Sequence, residues 1–247
     1  MWVTSSLTSL LVVLFFANMA VMLGVGARLL LAAARNRRVP EAAIGSSMAF
    51  GALGVLLGLV STTILERDPD AFALWSAGRV AQAIGTSGLV IGCWRIFRPD
   101  DSWAAAVAAM TCAVALTGCA MRSFTGSIPA PGDGTPGGLL SAVSSLIVYG
   151  WTGTEALRYH RQLTRRVRLG LADPFLAHRF GLWALSGALA LATTLAGTFY
   201  TYVLGQALSS SPIPFIAMQV ALFVAAICLW LAFYPPDLYR RRLVSDA

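Results

Sequence analysis

Seven runs of about 20 or more residues in this chain carry almost no charge, and each is long enough to cross a hydrocarbon layer about 30 Å thick as a helix. They run from about Leu7 to Ala34, Ala42 to Leu65, Ala71 to Ile96, Trp103 to Met121, Leu139 to about Thr154, Phe175 to Leu204 and Ile213 to Phe233. The fifth is the least hydrophobic and the shortest. In lipid a backbone must satisfy its own polar groups, so runs of this kind leave few folds open besides a bundle of helices. Composition agrees: 57% of the 247 residues are hydrophobic and 12% charged, about half the charge of an ordinary soluble domain. The fold class expected is therefore an all-α membrane protein, a single seven-helix domain over residues 1–247.

The opening segment MWVTSSLTSLLVVLFFANMAVMLGVGARLL has no basic stretch ahead of its apolar run, so it reads as helix one and not as a signal peptide. Arg28 lies near the inner end of that run and can snorkel. The connections are short, so no appended output or catalytic module is expected. The one long connection, Ser123 to Gly138, is dense in Pro and Gly and reads as irregular, solvated and mobile.

Every basic residue is Arg, and no Lys occurs. The arginines fall unevenly. Arg35, Arg37, Arg38, Arg95, Arg98, the group between helices five and six, and Arg240 to Arg242 all lie on one side, while only Arg67 and Arg122 lie on the other, near Glu66, Asp68, Asp70 and Asp133. The positive-inside rule places the N-terminus outside and the C-terminus in the cytoplasm. A bacterial cytoplasmic membrane is the expected location. This asymmetry also accounts for the net charge of +7, so nucleic-acid binding is not invoked. Arg158, Arg161, Arg165, Arg166 and Arg168 put five positive charges in eleven residues, a patch suited to anionic lipid at the cytoplasmic face or to a cytoplasmic protein partner.

Helices three and seven both end in aromatics followed by Pro-Asp, in CWRIFRPD and ICLWLAFYPPD. One reading is a parallel three-plus-one-plus-three repeat; the other is that inward-ending helices collect Arg, Pro and aromatics regardless of ancestry. The topology, over the whole chain, is similar to that of the SWEET sugar transporters, the microbial rhodopsins and the seven-helix receptors. Their functional residues do not carry over. Retinal is held on a lysine of the last helix in rhodopsins, and a chain without Lys cannot form that Schiff base. The Pro-Gln dipeptide of the SWEET and PQ-loop families is absent too.

Arg79 stands out as an ionisable residue inside a span, in WSAGRVAQAIGTSG, with Gln82 and Thr86 at plus three and plus seven on the same face. With Ser61, Thr62 and Thr63 of helix two, and Thr198, Tyr200 and Tyr202 of helix six, it would line an outward-facing pocket in which Arg79 grips a carboxylate or phosphate. The competing structural reading is an ion pair of Arg79 with Glu66 or Asp70 that locks helices two and three. Glu155 is expected to pair with Arg158, three residues on. Asn18 and Gln219 read as interhelical hydrogen-bonding residues.

Catalytic and metal readings fail on inventory. The two histidines, His160 and His178, are too few for a catalytic zinc or for the three-His set of the adiponectin-receptor type of seven-helix hydrolase. They also lie at the membrane edge, away from where a buried haem would need them. Asp173 beside His178 could form a pH-sensitive pair. Cys93, Cys112, Cys119 and Cys228 form no Cys-x-x-Cys and read as small apolar residues. No catalytic residue, metal or cofactor is expected. Gly54 to Gly58 and Gly88 to Gly92 space small residues for close helix packing, with a homo-oligomer face as a lesser use. Three functions from different classes fit: a receptor-like sensor of a small anionic or polar ligand, a small-molecule transporter or channel, and an accessory subunit of a membrane complex.

Overall fold

The computed structural model describes residues 2–37, 39–65, 70–130, 132–236 and 239, with side chains from residue 11 onward. Arg38, Glu66, Arg67, Asp68 and Arg240 to Arg242, on which the side assignment partly rests, lie outside these residues. Seven α-helices and a short 3-10 turn are formed among the described residues, with no strand: α1 Trp2–Asn36, α2 Val39–Thr63, α3 Ala71–Phe97, α4 Ser102–Ser123, α5 Pro136–Val167, α6 Pro174–Tyr202, the turn Leu208–Ser210, and α7 Pro212–Phe233. Six of them, all but α5, are long and apolar enough to cross a membrane. The protein is thus a polytopic helical membrane protein by the length and composition of its helices.

Helix starts follow local chemistry. Pro136, Pro174 and Pro212 each occupy the first position of a helix, where the missing N–H costs nothing and the fixed φ suits the helix. The largest departure from the sequence reading is at the end of α5. The apolar run fades near Thr154, yet the helix continues for three more turns to Val167, because hydropathy marks where hydrocarbon ends and not where helical hydrogen bonding ends. Residues 156–167 are mostly good helix formers, Ala, Leu, Arg and Gln among them. The stop is a glycine in the left-handed region: Gly170 has φ +69°, its N–H donates to Val167 O, and the Leu171 N–H donates to Arg166 O, which together make a Schellman end.

Burial is inverted relative to a soluble protein. The interior is built largely from small residues, among them Ala43, Ala52, Ala81, Ala104, Ala108 and Ala115, while Val12, Phe16, Leu53, Ile84, Ile91, Met110 and Leu116 face outward. In lipid the outward Leu and Ile lose nothing, and small residues inside let backbones approach.

The chain divides into two compact units. One contains residues 22–148 and 194–216. In it α3 packs on α2 and on α4, and the α2–α3 seam is a glycine zipper. A Cβ built on Gly54 would lie 2.5 Å from Gly78 O, and one on Gly78 would lie 2.8 Å from Gly54 O. Farther along, Gly88 faces Ser46 and Gly92 faces Ala43. The small residues at four-residue spacing therefore serve packing. The connection after α4 is irregular, with Gly126 and Gly132 at positive φ, but it is tied down: Tyr202 Oη donates to Thr135 O at 2.9 Å, and Gly132 lies against Gln206 and Ala207.

The other unit contains residues 1–21, 149–193 and 217–247. Here α5 and α6 meet at Gly153 and Gly187, where a Cβ on Gly187 would lie 2.9 Å from Gly153 Cα. A run of rings, Tyr159, Phe180, Trp183 and Phe233, follows, with neighbouring centroids 5.5 to 6.2 Å apart. His160 Nδ1 lies 2.7 Å from Ala177 O, and His178 Nε2 bonds Tyr239 Oη. Asn18 and Gln219 are both buried. The Glu155–Arg158 pair forms as expected, with Nη1 to Oε1 at 3.6 Å, the carboxylate buried and the guanidinium exposed.

Candidate functional site

Arg79 sits two turns into α3, and the sequence around it makes room. Gly58 of α2 lies opposite, so close that a Cβ there would be 2.7 Å from Arg79 Nη2. One turn back, Trp75 is buried, and the Arg79 guanidinium carbon lies 5.4 Å from its ring centroid. A second guanidinium shares that ring: Arg122, in the last turn of α4, has its Cζ 5.1 Å from the Trp75 centroid. The two guanidinium carbons are therefore no farther apart than those two distances laid end to end.

Arg122 is positioned by glycine as well. A Cβ on Gly137, in the first turn of α5, would meet Arg122 Cγ at 2.8 Å. Tyr202 completes this side; its ring lies against Gly134 and its hydroxyl against Gly138, the neighbour of Gly137. Trp75, Arg79, Arg122 and Tyr202 thus gather at one end of the α2–α3–α4 unit.

Arg79 and Arg122 each bury their Nε with no hydrogen-bond partner. Among the described residues neither makes an ion pair to a carboxylate. The expected lock between Arg79 and Asp70 is not formed: Asp70 is exposed at the N-cap of α3, while Arg79 turns toward Gly58 and Trp75. The Glu66 alternative falls outside the described residues. Magnitudes make this arrangement informative. An arginine at mid-membrane costs about 3 kcal/mol on insertion scales, and less toward a helix end, where Arg122 sits; a cation–π contact returns about 0.5–2 kcal/mol. Two like charges on one ring, without a counter-charge among the described residues, favour an anion beside them.

The other expected pocket residues are placed unevenly. Gln82 accompanies Arg79 on the α2-facing side of α3, its Cγ against Gly54. Tyr202 joins through Arg122. Thr62 is exposed and its hydroxyl donates to Gly58 O at 2.9 Å; Ser61, Thr63 and Thr198 likewise donate to carbonyls of their own helices. Tyr200 makes an edge contact with Phe199, and Thr86 is half-buried on α3; nothing brings either to the two arginines. Sequence reasoning missed Arg122 and Trp75. Trp75 was findable at i−4 from Arg79 on the same helical face, whereas Arg122 lies one residue past the apolar run that ends at Met121, and only the structure places it on α4.

At the far end of α5, Arg158, Arg161, Arg165, Arg166 and Arg168 are all exposed, four of them on the helix and Arg168 just beyond it. No cluster of three metal-ligating side chains occurs among the described residues. The four cysteines are free thiols, three of them buried. Compared with family models, curated proteins and solved structures, the chain matches none.

Proposed function

We propose that this membrane protein is a receptor-like sensor that binds a small anion in an outward-facing pocket on Arg79 and Arg122, and that it has a binding role and not a catalytic one. The observation that carries the reading is the pair of arginines sharing the Trp75 ring with buried, unpartnered Nε atoms and no carboxylate pair among the described residues. The proposal includes seven spans, the N-terminus outside and the C-terminus in the cytoplasm, as the arginine distribution favours. Helix α5 would be the seventh. Its 32 residues give a length of about 48 Å, and three of its hydroxyls are satisfied within the helix, Ser141 donating to Gly137 O and both Ser144 and Ser145 donating to Ser141 O. The exposed arginines from Arg158 to Arg168 would then hold anionic lipid or dock a cytoplasmic protein that carries the signal.

The test is thermal unfolding of the purified protein against a panel of small mono- and dianions. At least one anion is expected to raise the unfolding temperature, and Arg79→Ala is expected to stay folded and lose that response. If Arg79→Ala instead fails to fold, Arg79 is a structural lock and the reading falls. Flux of the stabilising anion into proteoliposomes would replace the sensor by a transporter.

A further inference from the structure

We infer that the Arg79–Arg122 pair takes a phosphate group, a tetrahedral dianion, and not a carboxylate. The inference rests on the anion-binding reading above and names its ligand class. Three observations carry it. First, the site holds two guanidiniums on a single ring with no carboxylate pair among the described residues, so a monoanion would leave one positive charge uncompensated by them.

Second, the charged donors left for a ligand are the guanidinium N–H groups, with the neutral Gln82 amide beside Arg79. Tyr202 Oη already donates to Thr135 O, and Ser61 and Thr62 donate to Gly58 O. With those hydroxyls committed, the guanidinium forks dominate the choice of ligand. Third, fork geometry favours more than one edge. A carboxylate offers one two-oxygen edge and matches a single guanidinium, whereas a phosphate offers several edges and can engage two. Gly58 leaves room beside the Arg79 guanidinium, and Gly137 lies against the stem of Arg122.

The phosphate could be free or part of a lipid headgroup, since the two present the same oxygens. The experiment separates them. Protein stripped of phospholipid is titrated with sodium phosphate and with sodium acetate at constant ionic strength, and its unfolding temperature is followed. In parallel, the protein in nanodiscs containing phosphatidic acid is examined by native mass spectrometry. Stabilisation by phosphate and not by acetate, weakened about tenfold or more by Arg122→Gln, supports a free-phosphate site. Retention of one phosphatidic acid by the wild type and its loss in Arg122→Gln, with no response to free phosphate, supports a headgroup site. Arg122→Lys, which keeps the charge and loses the fork, should bind more weakly than wild type and more tightly than Arg122→Gln; it serves as the readout if the Gln variant does not fold.

Acetate binding as tightly as phosphate would overturn the phosphate assignment while leaving the anion site standing. Binding of every anion unchanged in both Arg79→Gln and Arg122→Gln would overturn both.

Discussion

Glycines decide what the neighbouring side chains can do in this protein, and two of them on the same face of α2 make opposite predictions. At Gly54 an added Cβ meets the Gly78 carbonyl oxygen at 2.5 Å, which is backbone and cannot step aside. Gly54→Ala is expected to force α2 and α3 apart and to lose about 1–3 kcal/mol of stability in equilibrium unfolding. At Gly58 the added Cβ meets only Arg79 Nη2, the tip of a flexible side chain. Gly58→Ala should fold with an unfolding temperature close to wild type while weakening anion binding, because the guanidinium must move. Equal loss of stability in both variants would mean that Gly58 is merely packing. A smaller effect is expected at Arg37, a non-glycine residue at φ +52° just past the end of α1. Arg37→Gly should relieve about 1 kcal/mol of backbone strain, read as a rise in unfolding temperature. The four-residue spacing of Gly54 and Gly58 shows in the sequence that helices approach there, but not which of the two meets backbone and which meets Arg79. The polar stripe at Arg79 is visible there too, since an ionised group within an apolar run draws attention by its cost alone, whereas Arg122 looked like loop charge because the helix that presents it ends one residue later.

Among the elements, α5 behaves least like its sequence. Its run of hydroxyls from Ser141 to Thr154 lowers its hydropathy below that of the other helices, yet Ser144, Val148, Thr152 and Glu155 are buried. The Ser141, Ser144 and Ser145 oxygens bond carbonyls about one turn earlier in their own helix, which removes part of the polarity that hydropathy counts. The same element runs past its apolar part to the Schellman end at Gly170. Replacing Gly170, at φ +69°, by Ala should cost about 1 kcal/mol locally. Hydrogen exchange should then accelerate at Arg168, Leu169 and Leu171, whose N–H groups bond within this end, and stay unchanged in α3. The other six helices were legible because apolar runs of 20 residues and first-position prolines are strong, local signals; their ends moved by only a few residues between sequence and structure.

At the scale of the molecule, the proposed topology has a sharp consequence. If α5 crosses the membrane, the connection before it and the arginine-rich end after it lie on opposite sides. Ser127→Cys and Gln162→Cys both put a thiol at an exposed position. In intact cells a membrane-impermeant maleimide should label the first and spare the second until the membrane is opened; labelling of both from outside would remove α5 from the set of spans. The central claim is that the two arginines on Trp75 hold an anion, and native mass spectrometry of the protein released gently from its own membranes tests it most directly. The account predicts a small anionic adduct on the wild type that is absent from folded Arg79→Gln and Arg122→Gln proteins. A wild-type mass equal to that of the bare chain, or the same adduct on both variants, would contradict it.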